Sequence, residues 1–182
     1  MSAQPLSTSS AAELTLVPPL LTPVDPAAYR SIFRLHAGGV AVVTADAGRG
    51  PVGFTATSVV SVSLSPPLVS FALSKESASF PTLLEANTVV VNFVDAGQVD
   101  LAARFATRGV DRFAAPTRWS RLEDGSPVLD EAPSFLHGPI EHRFEVGDHH
   151  IIVAGLHEAV RRRAYEPLIY HDGAYGTAAT LR

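Results

Sequence analysis

Apolar and polar positions alternate in short runs along most of the chain, and the period changes every ten residues or so. Asp25 before Pro26 reads as an N-cap with proline at the first helical position. Ile32, Phe33 and Leu35 then supply an apolar face, which predicts a helix through residues 27–37 ended by Gly38-Gly39. Residues 40–46 form a β-branched strand, 47–50 a turn and 51–58 the returning strand. Val59 to Leu64 alternates apolar residues with serine in strict period two, the pattern of a half-buried strand. Pro66-Pro67 interrupts, and 68–74 is again a strand. A short helix over 79–87, a buried strand over 88–94 and an amphipathic helix over 98–106 follow. After a loop-rich stretch, 107–133, the segments 135–146, 150–160 and 167–171 read as strands. About eight short strands in hairpin-like succession with three short helices define a mainly β fold, an antiparallel barrel with peripheral helices. Strands do not alternate with long helices, so a doubly wound parallel sheet is disfavoured.

Length and composition narrow the picture. The 182 residues are 46% hydrophobic and 18% charged, enough for one sizeable core. Residues 1–24 differ from the rest, being small and polar and then apolar but broken by Pro18, Pro19 and Pro23. They are assigned as a flexible N-terminal arm preceding a single domain over 25–182; alternatively Leu14–Leu21 lies extended across a partner subunit. No basic region precedes an unbroken apolar stretch, so a secretory signal is not expected. Nor does any apolar run approach the roughly 20 residues of a membrane helix. The net charge of −4 is spread over both halves, which removes the electrostatic footprint of nucleic-acid binding. With no cysteine, disulfides, thiolate metal sites and cysteine nucleophiles are excluded.

Candidate chemistry is sparse. Gly48-Arg49-Gly50-Pro51-Val52-Gly53 matches a dinucleotide fingerprint in letters, but strand-forming residues follow it where a helix N-terminus must aim at the pyrophosphate. It is a hairpin turn. Thr55, Thr57 and Ser58 place hydroxyls beside the small Gly53 and Ala56, either as an ordinary threonine-rich edge strand or as a surface that a flat ligand approaches. Ser74-Lys75-Glu76-Ser77-Ala78-Ser79 joins a strand end to a helix start; it suits a phosphate, or simply caps the helix through Ser77 or Ser79. His149-His150 cannot chelate one ion, because adjacent strand residues point to opposite faces. The other histidines lack ligand spacing, so no metal site is expected. Arg161-Arg162-Arg163 reads as a solvated strand end.

In order, these segments resemble the flavin reductase family of FMN- or FAD-binding split-barrel proteins. Gly39–Thr44 matches an opening G-V-x-V-V-T strand. Thr55-Ala56-Thr57-Ser58 with Ser61–Leu68 is similar to the family's T-A-[TS]-S…S-V-S-x-x-P-P-L segment. Lys75–Pro81, Val91-Asn92-Phe93, Arg104-Phe105-Ala106, Asp111-Arg112-Phe113, Gly147-Asp148-His149 and Pro167–His171 follow at family-like spacing, so that the resemblance covers residues 27 to 177. It implies that Thr55, Ala56, Thr57 and Ser58 line the isoalloxazine and ribityl chain, and that Ser74, Lys75, Ser77 and Ser79 hold the phosphate. Asp148 and His149 would stand near the nicotinamide, with His149 as the catalytic residue. Asn92, Phe93, Arg104 and Tyr170 complete the implied cofactor-binding set. Two positions depart: Glu76 replaces the usual serine, so its side chain should point outward and leave its amide to the site, and Gly138 replaces a frequent cysteine.

The function so implied is NAD(P)H:flavin oxidoreductase: hydride passes from NADH or NADPH to FMN or FAD, and the reduced flavin serves a partner monooxygenase. The alternative is a split-barrel flavin protein without nicotinamide turnover, against which the G-D-H turn argues. A homodimer and a cytoplasmic location are expected.

Overall fold

A computed structural model describes residues 22–179. Helix α1 (Pro26–Arg34) leads into strands β1 (Gly38–Gly39), β2 (Ala41–Asp46), β3 (Pro51–Ala56), β4 (Val60–Leu64) and β5 (Pro67–Ser74). Helix α2 (Phe80–Glu85), β6 (Thr88–Phe93), a 3-10 turn at Ala96–Gln98 and helix α3 (Val99–Ala106) come next. The remaining strands are β7 (Trp119–Arg121), β8 (Pro127–Leu129), β9 (Ser134–Val146), β10 (His149–Gly155), β11 (Glu158–Arg161), β12 (Leu168–His171) and β13 (Ala174–Thr177).

Eight strands make one antiparallel sheet in the order β3-β2-β6-β9-β10-β5-β4, with β11 also paired to β9. The two end strands of that order are consecutive in sequence, and only residues 57–59 join them. The sheet must therefore curl until its edges nearly meet. Alternation fills the inside: Ala41, Val43 and Ala45 of β2, Val69, Phe71 and Leu73 of β5, Val89 and Val91 of β6 and Ile152 and Ala154 of β10, with Leu83 and Ala86 from the α2 segment packed into the same cluster. Val40 and Val42 face the other way, onto Ala102 and Phe105 of α3, Leu129 and Leu168. Two small sheets, β1-β12-β13 and β7-β8, lie outside.

Strand β9 spans 13 residues because it serves two sets of neighbours, β6 and β11 along its first half and β10 along its second. Near the changeover sits Gly138, where a Cβ would come within 1.8 Å of the Gly155 carbonyl oxygen. Close backbone approach requires glycine there.

Several expectations need correction. Helix α1 stops at Arg34, and Gly38-Gly39 is a short strand rather than only a helix end. Its N-terminus is as expected, Asp25 accepting the Ala28 N–H at 3.0 Å. The stretch 150–160 is two strands, β10 and β11, because the chain turns to pair again with the first half of β9. β4 is not half-buried: Val60, Val62 and Leu64 are 57%, 53% and 90% exposed, since none of the described residues packs over these side chains of the end strand. Arg161, Arg162 and Arg163 are exposed, as read, and Arg162 in addition donates to the carbonyls of Leu129, Asp130 and Ala132. The glycine-rich turn is as read: Asp46 accepts the N–H groups of Gly48, Arg49 and Gly50, and β2 and β3 form a hairpin around it. The proposed arm segment Leu14–Leu21 lies outside the described residues. No helix among the described residues is long and apolar enough to cross a membrane.

Candidate functional site

Strand β3 ends the sheet, so one of its edges carries unpaired backbone groups. The Gly53 carbonyl on that edge accepts Ser79 Oγ at 3.0 Å and the Arg112 guanidinium at 2.9 Å. Backbone groups of alternate strand residues share a direction, so the N–H and C=O of Thr55 open to the same side. Burial pushes the Arg112 guanidinium down from its ordinary pKa. The Thr55 hydroxyl donates to the Ala102 carbonyl at 2.6 Å and pins β3 to α3. Beyond the strand end, Thr57 is exposed, and Gly38 lets β1 pass beside it: a Cβ there would meet Thr57 Cβ and O at 3.0 Å. Ser58 turns the chain toward β4, its Oγ accepting the Ala72 N–H of β5 at 2.9 Å.

β5 brings the next two segments to this corner. Ser74, at its end, pairs directly with His149 at the start of β10. The loop after Ser74 is tightly bonded: Ser74 Oγ accepts the Glu76 N–H and Ser77 Oγ the Ser79 N–H, each at 3.2 Å. Among the described residues neither of these two serine hydroxyls donates a hydrogen bond. Ser79, the N-cap position of α2, is buried and uses its hydroxyl on Gly53 rather than on the helix. Glu76 extends outward to Arg108 at 3.2 Å, as its departure from the family pattern required, but its amide is occupied by Ser74. Gly147 and Asp148 connect β9 to β10 in a two-residue turn with Gly147 at φ 59°, the class that takes glycine first. Asp148 Oδ1 lies 2.7 Å from His149 Nδ1. That hydrogen bond holds the Asp148 carboxyl below its ordinary pKa. Lys75 bridges loop and turn, its N–H donating to the Asp148 carbonyl at 3.0 Å and its ammonium to the Gly147 carbonyl at 2.7 Å.

Thr55 to Ser58, Ser74 to Ser79 and Asp148-His149 thus surround one corner of the curled sheet. Tyr170 adjoins it, sharing with Thr57 and Ser58 a cavity of about 530 Å³ that Phe33, Arg34 and His36 also line. Nothing in the sequence marks those three as site residues, because helical periodicity does not show that the end of α1 lies beside Thr57. Asn92 does not reach the corner. It is fully buried, donates to the Val42 carbonyl and Thr44 Oγ1 and accepts the Leu129 N–H. Phe93 lines a different groove with Phe135 and Tyr165, and Arg104 another beside Gln98 and Leu101.

A curled antiparallel sheet with loops meeting at its open edge defines a class of small β-barrel proteins with a surface site. Residues 33–179 match the family model described as "Flavin reductase like domain", and the chain belongs to that family. It is 41% identical over 174 residues to an NADH:FMN oxidoreductase of Rhodococcus erythropolis, covering 93% of this chain and 90% of that one. The NADH:FAD oxidoreductase of Streptomyces globisporus C-1027, solved in complex with NAD and FAD fragments, superimposes with a TM-score of 0.79 at 34% identity, over 87% of this chain and 98% of its own. The homolog of nitrilotriacetate monooxygenase component B from Mycobacterium thermoresistibile gives 0.78 at 28% identity, over 84% and 86%.

Proposed function

We propose that this chain is an NADH-dependent flavin reductase that uses FMN, and FAD as a second acceptor, at the corner between β3, the 74–79 loop and the 147–149 turn. The observation that carries the reading is the strand pairing of Ser74 with His149, which sets a loop suited to a flavin phosphate beside a turn suited to a nicotinamide. The residues present fit a flavin: an open strand edge at Thr55, exposed Thr57, the hydroxyls of Ser74 and Ser77, which donate to none of the described residues, and a cavity of about 530 Å³ beside Tyr170. Bound there, the flavin supplies a hydride acceptor and the nicotinamide a donor.

The chain's own part is orientation. Thr55 offers a backbone donor and acceptor in one plane, matched to the polar edge of a flat ring. The Ser74–Ser79 loop receives the phosphate through the hydroxyls of Ser74 and Ser77 and the Ala78 N–H. Asp148 fixes one nitrogen of His149 and leaves the other, Nε2, to the nucleotide. Holding two rings in a near-attack arrangement supplies the main rate gain, and no acid–base pair is needed.

Two copies complete the protein in this reading. Ile32 and Phe33 of α1 with Leu35 just past its end, Val60, Val62 and Leu64 of β4, and Phe144, Val146 and Ile151 of β9 and β10 are all exposed apolar residues. Apolar surface on that scale suits a subunit interface. The reduced flavin leaves for a separate oxygenase component, consistent with a site built of hydroxyls and amides that holds it without a covalent link. The cytoplasm, with its NADH pool, is the proposed location.

Steady-state oxidation of NADH and NADPH with FMN, FAD and riboflavin in turn tests the reading. Turnover is expected with FMN and NADH above the other pairs; no turnover with any pair would overturn it.

A further inference from the structure

Lys75 is the chain's single lysine. Its ammonium contacts Glu145 Oε1 at 2.5 Å and the Gly147 carbonyl at 2.7 Å, while its own N–H donates to the Asp148 carbonyl at 3.0 Å. One residue thus grips both residues of the turn and, through Glu145, the strand that leads into it. Glu145 belongs to β9, two strands away from β5, so the lysine reaches across the start of β10 to find it. The register sets the geometry: Glu145 pairs with His150, and Val146 with His149. Neighbouring strand residues alternate faces, so Glu145 lies on the face opposite to the one His149 presents. The turn is held from behind.

We infer that Lys75 and Glu145 act as a positioning pair that fixes the 147–149 turn for the nucleotide, and that the lysine serves the turn rather than the flavin phosphate. The inference rests on the flavin reductase reading. An ammonium already facing a carboxylate has little net charge to offer a second anion. The same hydrogen bond holds the Glu145 carboxyl below its ordinary pKa, so Glu145 meets the lysine as a carboxylate. Phosphate recognition then falls to Ser74, Ser77 and the Ala78 N–H. Gly147, at positive φ and without a side chain, adds no side-chain packing to the Val146–His149 pair that closes the turn, so Lys75 and Glu145 supply its side-chain anchorage.

The test uses Lys75→Met, Glu145→Gln and the double variant. Each single change should raise the KM for NADH roughly two- to fivefold, the range of an exposed ion pair, with kcat at saturating NADH unchanged. The double variant should be no worse than the poorer single one, because both remove the same contact. Affinities for FMN and riboflavin, read by fluorescence quenching, should keep their wild-type ratio. In the flavin-free protein, amide hydrogen exchange at Asp148 and His149 should accelerate in all three variants. A fall in the FMN-to-riboflavin ratio for Lys75→Met with an unmoved NADH KM would overturn the inference, as would unchanged exchange or additive single effects. Failure of the wild-type protein to oxidise NADH with any flavin is a different result: it removes the functional reading, and this inference with it, whereas an active wild type with unmoved variants removes this inference alone.

Discussion

Asn92 lies in a segment where family resemblance implies cofactor contact, yet its side chain is enclosed by Val42, Thr44 and Leu129. It joins β6 to β2 and to the β8 segment. Truncation in Asn92→Ala leaves the Leu129 N–H buried without a partner and opens a void, a cost of about 2–4 kcal/mol. Urea unfolding should show that loss, while FMN affinity of the folded fraction stays at the wild-type value; a selective loss of FMN affinity would restore the cofactor role. Gly53 makes the opposite point. A Cβ there would lie 2.7 Å from Phe105 Cε1 and 2.9 Å from the Val43 carbonyl oxygen. Gly53→Ala should therefore shift β3 against α3, costing about 1–3 kcal/mol and weakening FMN binding at the adjacent Thr55 edge, measured by thermal unfolding and fluorescence quenching. Unchanged FMN affinity would separate that edge from the site. At this scale, letters and spacing made Thr55–Ser58 and Asp148-His149 legible. Partners were not: nothing in the sequence says that Glu145 faces Lys75, or that Arg112 reaches Gly53, because periodicity assigns a face and not a neighbour.

Among the elements, the β7–β8 hairpin was missed altogether, each strand being only three residues long within a loop-like stretch. It is fastened to the sheet by polar groups. Burial pushes the Asp124 carboxyl up, but the Ser126 N–H and hydroxyl, the buried His137 ring and Thr88 outweigh it and hold it at about 2. A carboxylate lowered in the folded state adds stability above its unfolded pKa, here near 3.8, and that stability is lost as pH falls through about 2. With its side chain 35% exposed, screening reduces the contribution to about 1 kcal/mol. Asp124→Asn should be less stable than wild type at neutral pH by that amount, and the two should converge on acidification toward pH 2; a constant difference in chemical unfolding across that range would contradict the assignment. β4 teaches a related lesson. Its alternation was read correctly as a strand, but period two states only that two faces differ, and whether either is covered depends on what packs there.

For the whole molecule, the antiparallel curl was legible because hairpin-like succession leaves few ways to order the strands. The exposed apolar residues of β4 and α1 form surface that the described residues leave uncovered. If two chains cover it, light scattering with FMN present gives a dimer mass, and Phe144→Asp with Ile151→Asp, a register pair on β9 and β10, shifts the mass toward a monomer. A monomeric wild type would contradict that assembly. The central claim is narrower: hydride reaches the flavin at the corner where His149 stands beside Ser74. Anaerobic mixing of the FMN-loaded protein with NADH, followed by the loss of flavin absorbance, measures that step without a partner oxygenase. Wild type should bleach far faster than free FMN, and His149→Ala should need more NADH for the same rate while binding FMN as before. Bleaching no faster than that of free FMN, or a His149→Ala variant with wild-type dependence on NADH, would contradict the account.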